Sequence, residues 1–141
     1  MYRNLRIVPY LIFGRGSYAQ LGDVLRPRRS GAAVAFMIDD VHQGKPFISK
    51  LPMEKEDLLI FVNADVEPKT KYVDELTERV RSSSGRQPDG VVGIGGGSIM
   101  DISKAVSLML TNPGSSADYQ GWDLVKHPAV YHVGLPTLAG T

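Results

Sequence analysis

The sequence predicts an α/β fold: a doubly wound, mostly parallel Rossmann-like sheet with helices on both faces. Three observations predict it. Short apolar runs alternate with segments of helical periodicity along the whole chain. Two of those runs, Ala32 to Ile38 and Asp57 to Asn63, are apolar almost throughout, as strands buried on both faces are. A glycine run, Gly93-Ile94-Gly95-Gly96-Gly97-Ser98, stands where a strand pattern passes into a helix pattern.

In chain order, Ile7 to Phe13 is expected to be a strand, with Pro9 marking an edge or a bulge. Gly14 to Ser17 is a turn. Ser17 can cap a helix to about Arg26, with Tyr18, Leu21 and Leu25 on one face. The run to Ile38 follows and ends in Asp39-Asp40. Gly44, Pro46 and Pro52 make the segment from Val41 to Pro52 a loop. After the strand ending at Asn63, Pro68 suits the first turn of a helix whose apolar stripe is Tyr72, Val73, Leu76 and Val80. Gly90 to Ile94 forms a short strand. Ile99, Ile102, Val106 and Met109 share a face of the helix that starts near Ser98, and Asn112-Pro113-Gly114 ends it. A loop carrying Tyr119 and Trp122 leads to a last strand, Val130 to Leu135.

The chain of 141 residues has the size of one domain, and its 43% hydrophobic and 22% charged residues are ordinary globular usage. Sixteen basic residues against 15 acidic ones give a net charge of +1, which excludes the electrostatic footprint of a nucleic-acid binder. Arg26, Arg28 and Arg29 are read as a solvated helix end. The absence of cysteine excludes disulfides, thiolate metal sites and cysteine nucleophiles, and fits a reducing compartment. No signal peptide and no membrane span are expected, so the predicted location is the cytoplasm.

Glycines allow a ligand to approach the backbone closely, and a helix N-terminus offers unpaired N–H groups and a positive dipole end to a phosphate. Gly95, Gly96, Gly97 and Ser98 are therefore candidate phosphate-binding residues, against the alternative of a tight turn in which glycine serves geometry alone. Asp101 and Lys104 follow on the first turns of the same helix. Asp101 could accept N–H bonds from the glycine loop and Lys104 could add positive charge, or the two could form a surface ion pair; the spacing leaves both open. Asp39 ends a strand at a position where a carboxylate can accept from a ribose diol and disfavour a 2′-phosphate, with Asp40 as competitor. NAD is accordingly expected ahead of NADP.

The run GGGSIMDISK, Gly95 to Lys104, resembles the GGGS-x-x-D-x-x-K signature of the iron-containing (group III) alcohol dehydrogenases. LPTLAGT, Leu135 to Thr141, resembles that family's P-T-T-A-G-T-G-S-E segment. Phe13-Gly14-x-Gly16 and the strand ending at Asp39 fall in the family's order, so the resemblance covers essentially the whole chain. FGRGS at Phe13 to Ser17, DDVHQGKP at Asp39 to Pro46, and SLMLTNPGS followed by YQGWDL are similar to the branch containing 3-deoxy-D-manno-octulosonate 8-oxidase.

This resemblance implies that residues 1–141 form a dinucleotide-binding domain, cut before a helical domain that holds a divalent metal, usually iron. It implies that Gly95 to Ser98 hold a pyrophosphate, that Asp39 faces the adenosine ribose, and that Thr137 and Thr141 line the cofactor cleft. Leu138 departs from the family's second threonine. The family's metal ligands, an aspartate and several histidines, have no counterpart here. His42, His127 and His132 are read as loop or surface residues whose spacing forms no metal pair. No catalytic and no metal-binding residue is expected within the chain, which by itself is expected to be inactive. The substrate class is a small alcohol or sugar acid, and a homodimer is the expected assembly. Two alternatives stand beside this reading: a nucleotide-binding fragment without catalysis, and a sugar-phosphate lyase domain like dehydroquinate synthase. Lys104 and LPTLAGT argue against the second.

Overall fold

The computed structural model describes residues 8–65 and 69–138. Four strands, β1 (Val34–Asp39), β2 (Leu58–Val62), β3 (Gly90–Gly95) and β4 (Tyr131–Pro136), form one sheet in the order β2-β1-β3-β4. All three pairings are parallel. Three helices accompany them: the short α1 (Leu21–Leu25), α2 (Thr70–Ser84) and α3 (Gly97–Met109).

Side-chain alternation sorts the core into two layers. Ala35 and Met37 of β1, with Ile60, Val62 and Val91, pack beneath α2 and α3. Val34, Phe36 and Ile38, with Val92 and Ile94, face α1 and the segment around Phe47. Both faces are covered, which is the doubly wound arrangement. It also explains why the Ala32 to Ile38 run carries no polar residue: Val34 through Ile38 are all at most 1% exposed.

Two local expectations are corrected. Residues 8–13 form no strand: the chain bends at Pro9 and stays exposed, Phe13 being 95% accessible. Pro9 cannot donate to a ladder, and no described strand lies beside this segment. The single helix expected from Ser17 to Arg26 is instead a 3-10 turn (Ser17–Gln20), one turn of α1, and a second 3-10 turn (Arg26–Arg28). Pro68 lies outside the described residues, and α2 begins at Thr70.

Arg29 departs from the solvated helix end expected of the basic cluster. Arg29 is bidentate to Asp57, at 2.9 and 2.7 Å, and contacts Glu54 at 3.0 Å. The Arg28 guanidinium lies 4.8 Å from the Tyr131 ring centroid, a cation–π contact. Arg26, paired with Asp23, and Arg28 stay exposed, and only Arg29 is half-buried. No helix among the described residues is long and apolar enough to cross a membrane.

Candidate functional site

The chain leaves β1 toward β2 on one side and returns through α2 to β3 on the other, so the strand order reverses between β1 and β3. In open α/β sheets the crevice at that reversal, outside the carboxyl ends of the strands, is where ligands bind. Asp39 and Gly95 end these two strands, and a Cβ built on Gly95 would stand 3.0 Å from the Asp39 Cβ. The two sequence-predicted residues are thus neighbours across the crevice.

Glycine is required on β3 by close packing. Gly93 and Gly95 point to the α3 face. A side chain at Gly93 would strike Ser103, and one at Gly95 would meet Ile99 at 2.6 and 2.8 Å. These two glycines let α3 lie directly on the strand. Gly97 differs: a Cβ there meets nothing within 4 Å among the described residues.

Gly96 is the N-cap of α3 with no side-chain cap, and the first recorded amide bond of the helix runs from Met100 N–H to Gly96 O at 3.1 Å. The amides of Gly97, Ser98 and Ile99 have no acceptor among the described residues. Orphan donors, the positive end of a 13-residue helix and open space over Gly97 therefore coincide.

The loop after β4 closes over the same place. Thr137 N–H donates to Gly95 O at 2.9 Å, and Leu138 Cδ1 lies 3.4 Å from where a Gly96 Cβ would be. Leu138, which stands where a second threonine was expected, supplies an apolar wall. Thr141 lies outside the described residues.

Asp39 is 9% exposed, and its Oδ1 accepts from Val41 N–H at 3.2 Å, so part of its carboxylate already caps its own turn. Asp40 is half-buried beside it. Asp101 does not hold the glycine loop: its carboxylate lies 3.7 Å from Lys104 Nζ, and both side chains are largely exposed. The (i, i+3) geometry favours each other as partners over a loop lying back toward the N-terminus.

The histidines separate. His42 follows Asp39 on a 3-10 turn (Asp40–His42), with Nε2 3.4 Å from Thr137 Oγ1, so it belongs to the site. Sequence spacing missed it because Thr137 is 95 residues away. His132 is no surface residue either. It lies on β4 with Nε2 2.9 Å from Ser103 Oγ; burial, and secondarily Lys104, push its pKa down to about 4. His127 sits in the loop after α3, where its N–H donates to Asn112 Oδ1 and its carbonyl accepts from Asn112 Nδ2. Among the described residues no group of three metal-ligating side chains exists. A depression of about 520 Å³ lined by Ala33, Ser84 and Arg86 lies at the opposite end of the sheet and contains none of these residues.

Residues 9–141 match the family model described as iron-containing alcohol dehydrogenase. The chain belongs to the iron-containing alcohol dehydrogenase family. It is 31% identical over 98% of its length to the NAD-dependent methanol dehydrogenase of Bacillus methanolicus, covering 36% of that protein. It is 26% identical over 95% of its length to the sulfoacetaldehyde reductase of Bilophila wadsworthia, covering 35% of it. Among solved structures, the sulfoacetaldehyde reductase of Bifidobacterium kashiwanohense in complex with NAD+ superimposes with a TM-score of 0.75 at 25% identity, over 91% of this chain and 34% of that one. An iron-containing alcohol dehydrogenase of Thermotoga maritima gives 0.68 at 30% identity, over 86% and 34%. The chain thus spans about a third of the length of these relatives.

Proposed function

We propose that this chain is the dinucleotide-binding part of a metal-dependent alcohol oxidoreductase, and that NAD is its nucleotide. The observation that carries the reading is the α3 N-terminus: uncapped, with orphan amides at Gly97 to Ile99, open above Gly97, and set at the β1/β3 reversal. A bound pyrophosphate would receive those N–H groups and sit at the positive helix end. The Asp39 oxygen not engaged by Val41 is left to accept from a ribose hydroxyl, and the carboxylate disfavours a 2′-phosphate there. Thr137 and Leu138 wall the opposite side of the loop, and Thr141 belongs to the same proposed lining. The nicotinamide of NAD supplies a hydride acceptor when bound; this chain's residues orient it. No metal step is assigned to them.

The domain boundary belongs to the same proposal, with residues 1–141 followed by a metal-holding helical domain in the whole protein. So do a cytoplasmic location and a homodimer. Replacing Gly97 by Val tests the nucleotide reading, because the fold has room for the side chain and a phosphate does not. NAD affinity measured by calorimetry should fall at least about tenfold, with the thermal midpoint unchanged within ~2 °C. Unchanged affinity would leave the glycines as a packing device only.

The finer substrate proposal is a sugar acid, 3-deoxy-D-manno-octulosonate oxidised at C8, supported by FGRGS, DDVHQGKP, SLMLTNPGS and YQGWDL. The full-length enzyme should oxidise it either with NAD as acceptor or, without NAD, with oxygen as acceptor. Absence of activity under both conditions would remove that substrate.

A further inference from the structure

The strand order places β3 between β1 and β4, so any contact between the loops that follow β1 and β4 must pass over the carboxyl end of β3. His42 and Thr137 make that contact, with Nε2 3.4 Å from Oγ1. Thr137 is in turn anchored through its N–H to Gly95 O. The imidazole is braced from behind. Phe47 meets it edge-on at 5.4 Å and 78°, and Tyr18 meets Phe47 at 6.2 Å while its hydroxyl donates to the Phe47 carbonyl. The ring is therefore well supported, whereas its polar contact is near the long limit of a hydrogen bond and cheap to exchange.

Its neighbour is differently disposed. Asp39 is buried and already engaged with Val41, while His42, three residues farther along the chain, is more accessible. An imidazole N–H can donate to a ribose hydroxyl or to a phosphate oxygen.

We propose that His42 is a nucleotide-contacting residue, exchanging the Thr137 hydroxyl for an oxygen of an ADP moiety seated over Gly95 to Gly97. This rests on the nucleotide reading above. Calorimetric titration of the chain with ADP, repeated for His42→Ala and His42→Gln, tests it alongside the histidine-ring NMR signals. His42→Ala should weaken ADP about tenfold, and His42→Gln, which keeps an N–H donor, should recover to within about threefold of the parent. The His42 ring resonances should shift on saturation. With adenosine as ligand, the same loss places the contact on the ribose, and a loss confined to ADP places it on the phosphates; either supports the proposal. Equal ADP affinity for the parent and His42→Ala, or ring signals unmoved at saturation, overturns it while leaving the glycine-loop reading intact. A parent chain that binds neither ADP nor NAD overturns the reading itself.

Discussion

The two ends of this sheet are built on opposite principles. At the amino ends of the strands, polar groups are matched to donors nearly to saturation. Asp57, whose side chain is fully buried, accepts from both Arg29 nitrogens and from the backbone N–H groups of Val34 and Glu54. Asp89 accepts from the Ser30 N–H, the Ser30 hydroxyl and the Ala32 N–H. At the carboxyl ends, the first three α3 amides have no acceptor among the described residues, and a Cβ on Gly97 would meet no described atom within 4 Å. Hydrogen-bonded carboxylates at the first end hold the strands in place. Unspent donors at the second end are available to something else. Stability rests on the first end, and the binding proposed above on the second.

Removing a carboxylate from the closed end should give the largest effect. Asp57→Ala removes the bidentate partner of Arg29, whose side chain is 11% exposed and keeps Glu54 and the Pro52 carbonyl, and unpairs the Val34 and Glu54 amides. It should cost about 3 kcal/mol in urea unfolding. That is a large part of a small domain's stability. A loss under ~1 kcal/mol would mean that the closed end is not the structural one.

Acid should separate the two kinds of buried group. Burial pushes the Asp57 carboxyl up, but Arg29 and the amides of Glu54 and Val34 outweigh it and hold the group below the usual carboxylate range; Ser30 and Ala32 do the same for Asp89. Their stabilisation is complete above the ordinary carboxylate pKa and disappears only as pH falls through the lowered folded values. His132 works in an earlier window. Its folded pKa of about 4 lies below the unfolded 6.5, so the unfolded chain binds the extra proton, and stability should decline from about pH 6.5 toward 4. In His132→Gln, urea midpoints at pH 7, 5.5 and 4.5 should lose that slope. A parent-like slope in the variant would assign the decline elsewhere.

The smallest effect belongs to Asp101. Its 3.7 Å contact with Lys104 is between side chains 74% and 63% exposed, so Asp101→Ala should change stability by less than about 0.5 kcal/mol. NAD affinity should also stay within about twofold, since the carboxylate does not hold the loop; a larger loss would return Asp101 to the binding machinery.

What the sequence determined by itself was whatever rests on short-range pattern. Runs buried on both faces carry no polar residue, so β1 and the sheet class were legible; so was the β3–α3 junction, where glycines meet a helix of clear 3.6-residue period. The Asp39–Gly95 approach was not among these, because it depends on β1 lying beside β3. Only the tertiary structure decided which glycines serve packing and which leave space. Gly93 and Gly95 look like Gly97 in the sequence but lie under α3. It also decided that Arg29 is buried with Asp57, 28 residues away, and that His42 reaches Thr137 over the end of β3. The physical reason is the same in each case: such contacts depend on which strand lies beside which, and neither residue type nor spacing along the chain encodes that neighbour.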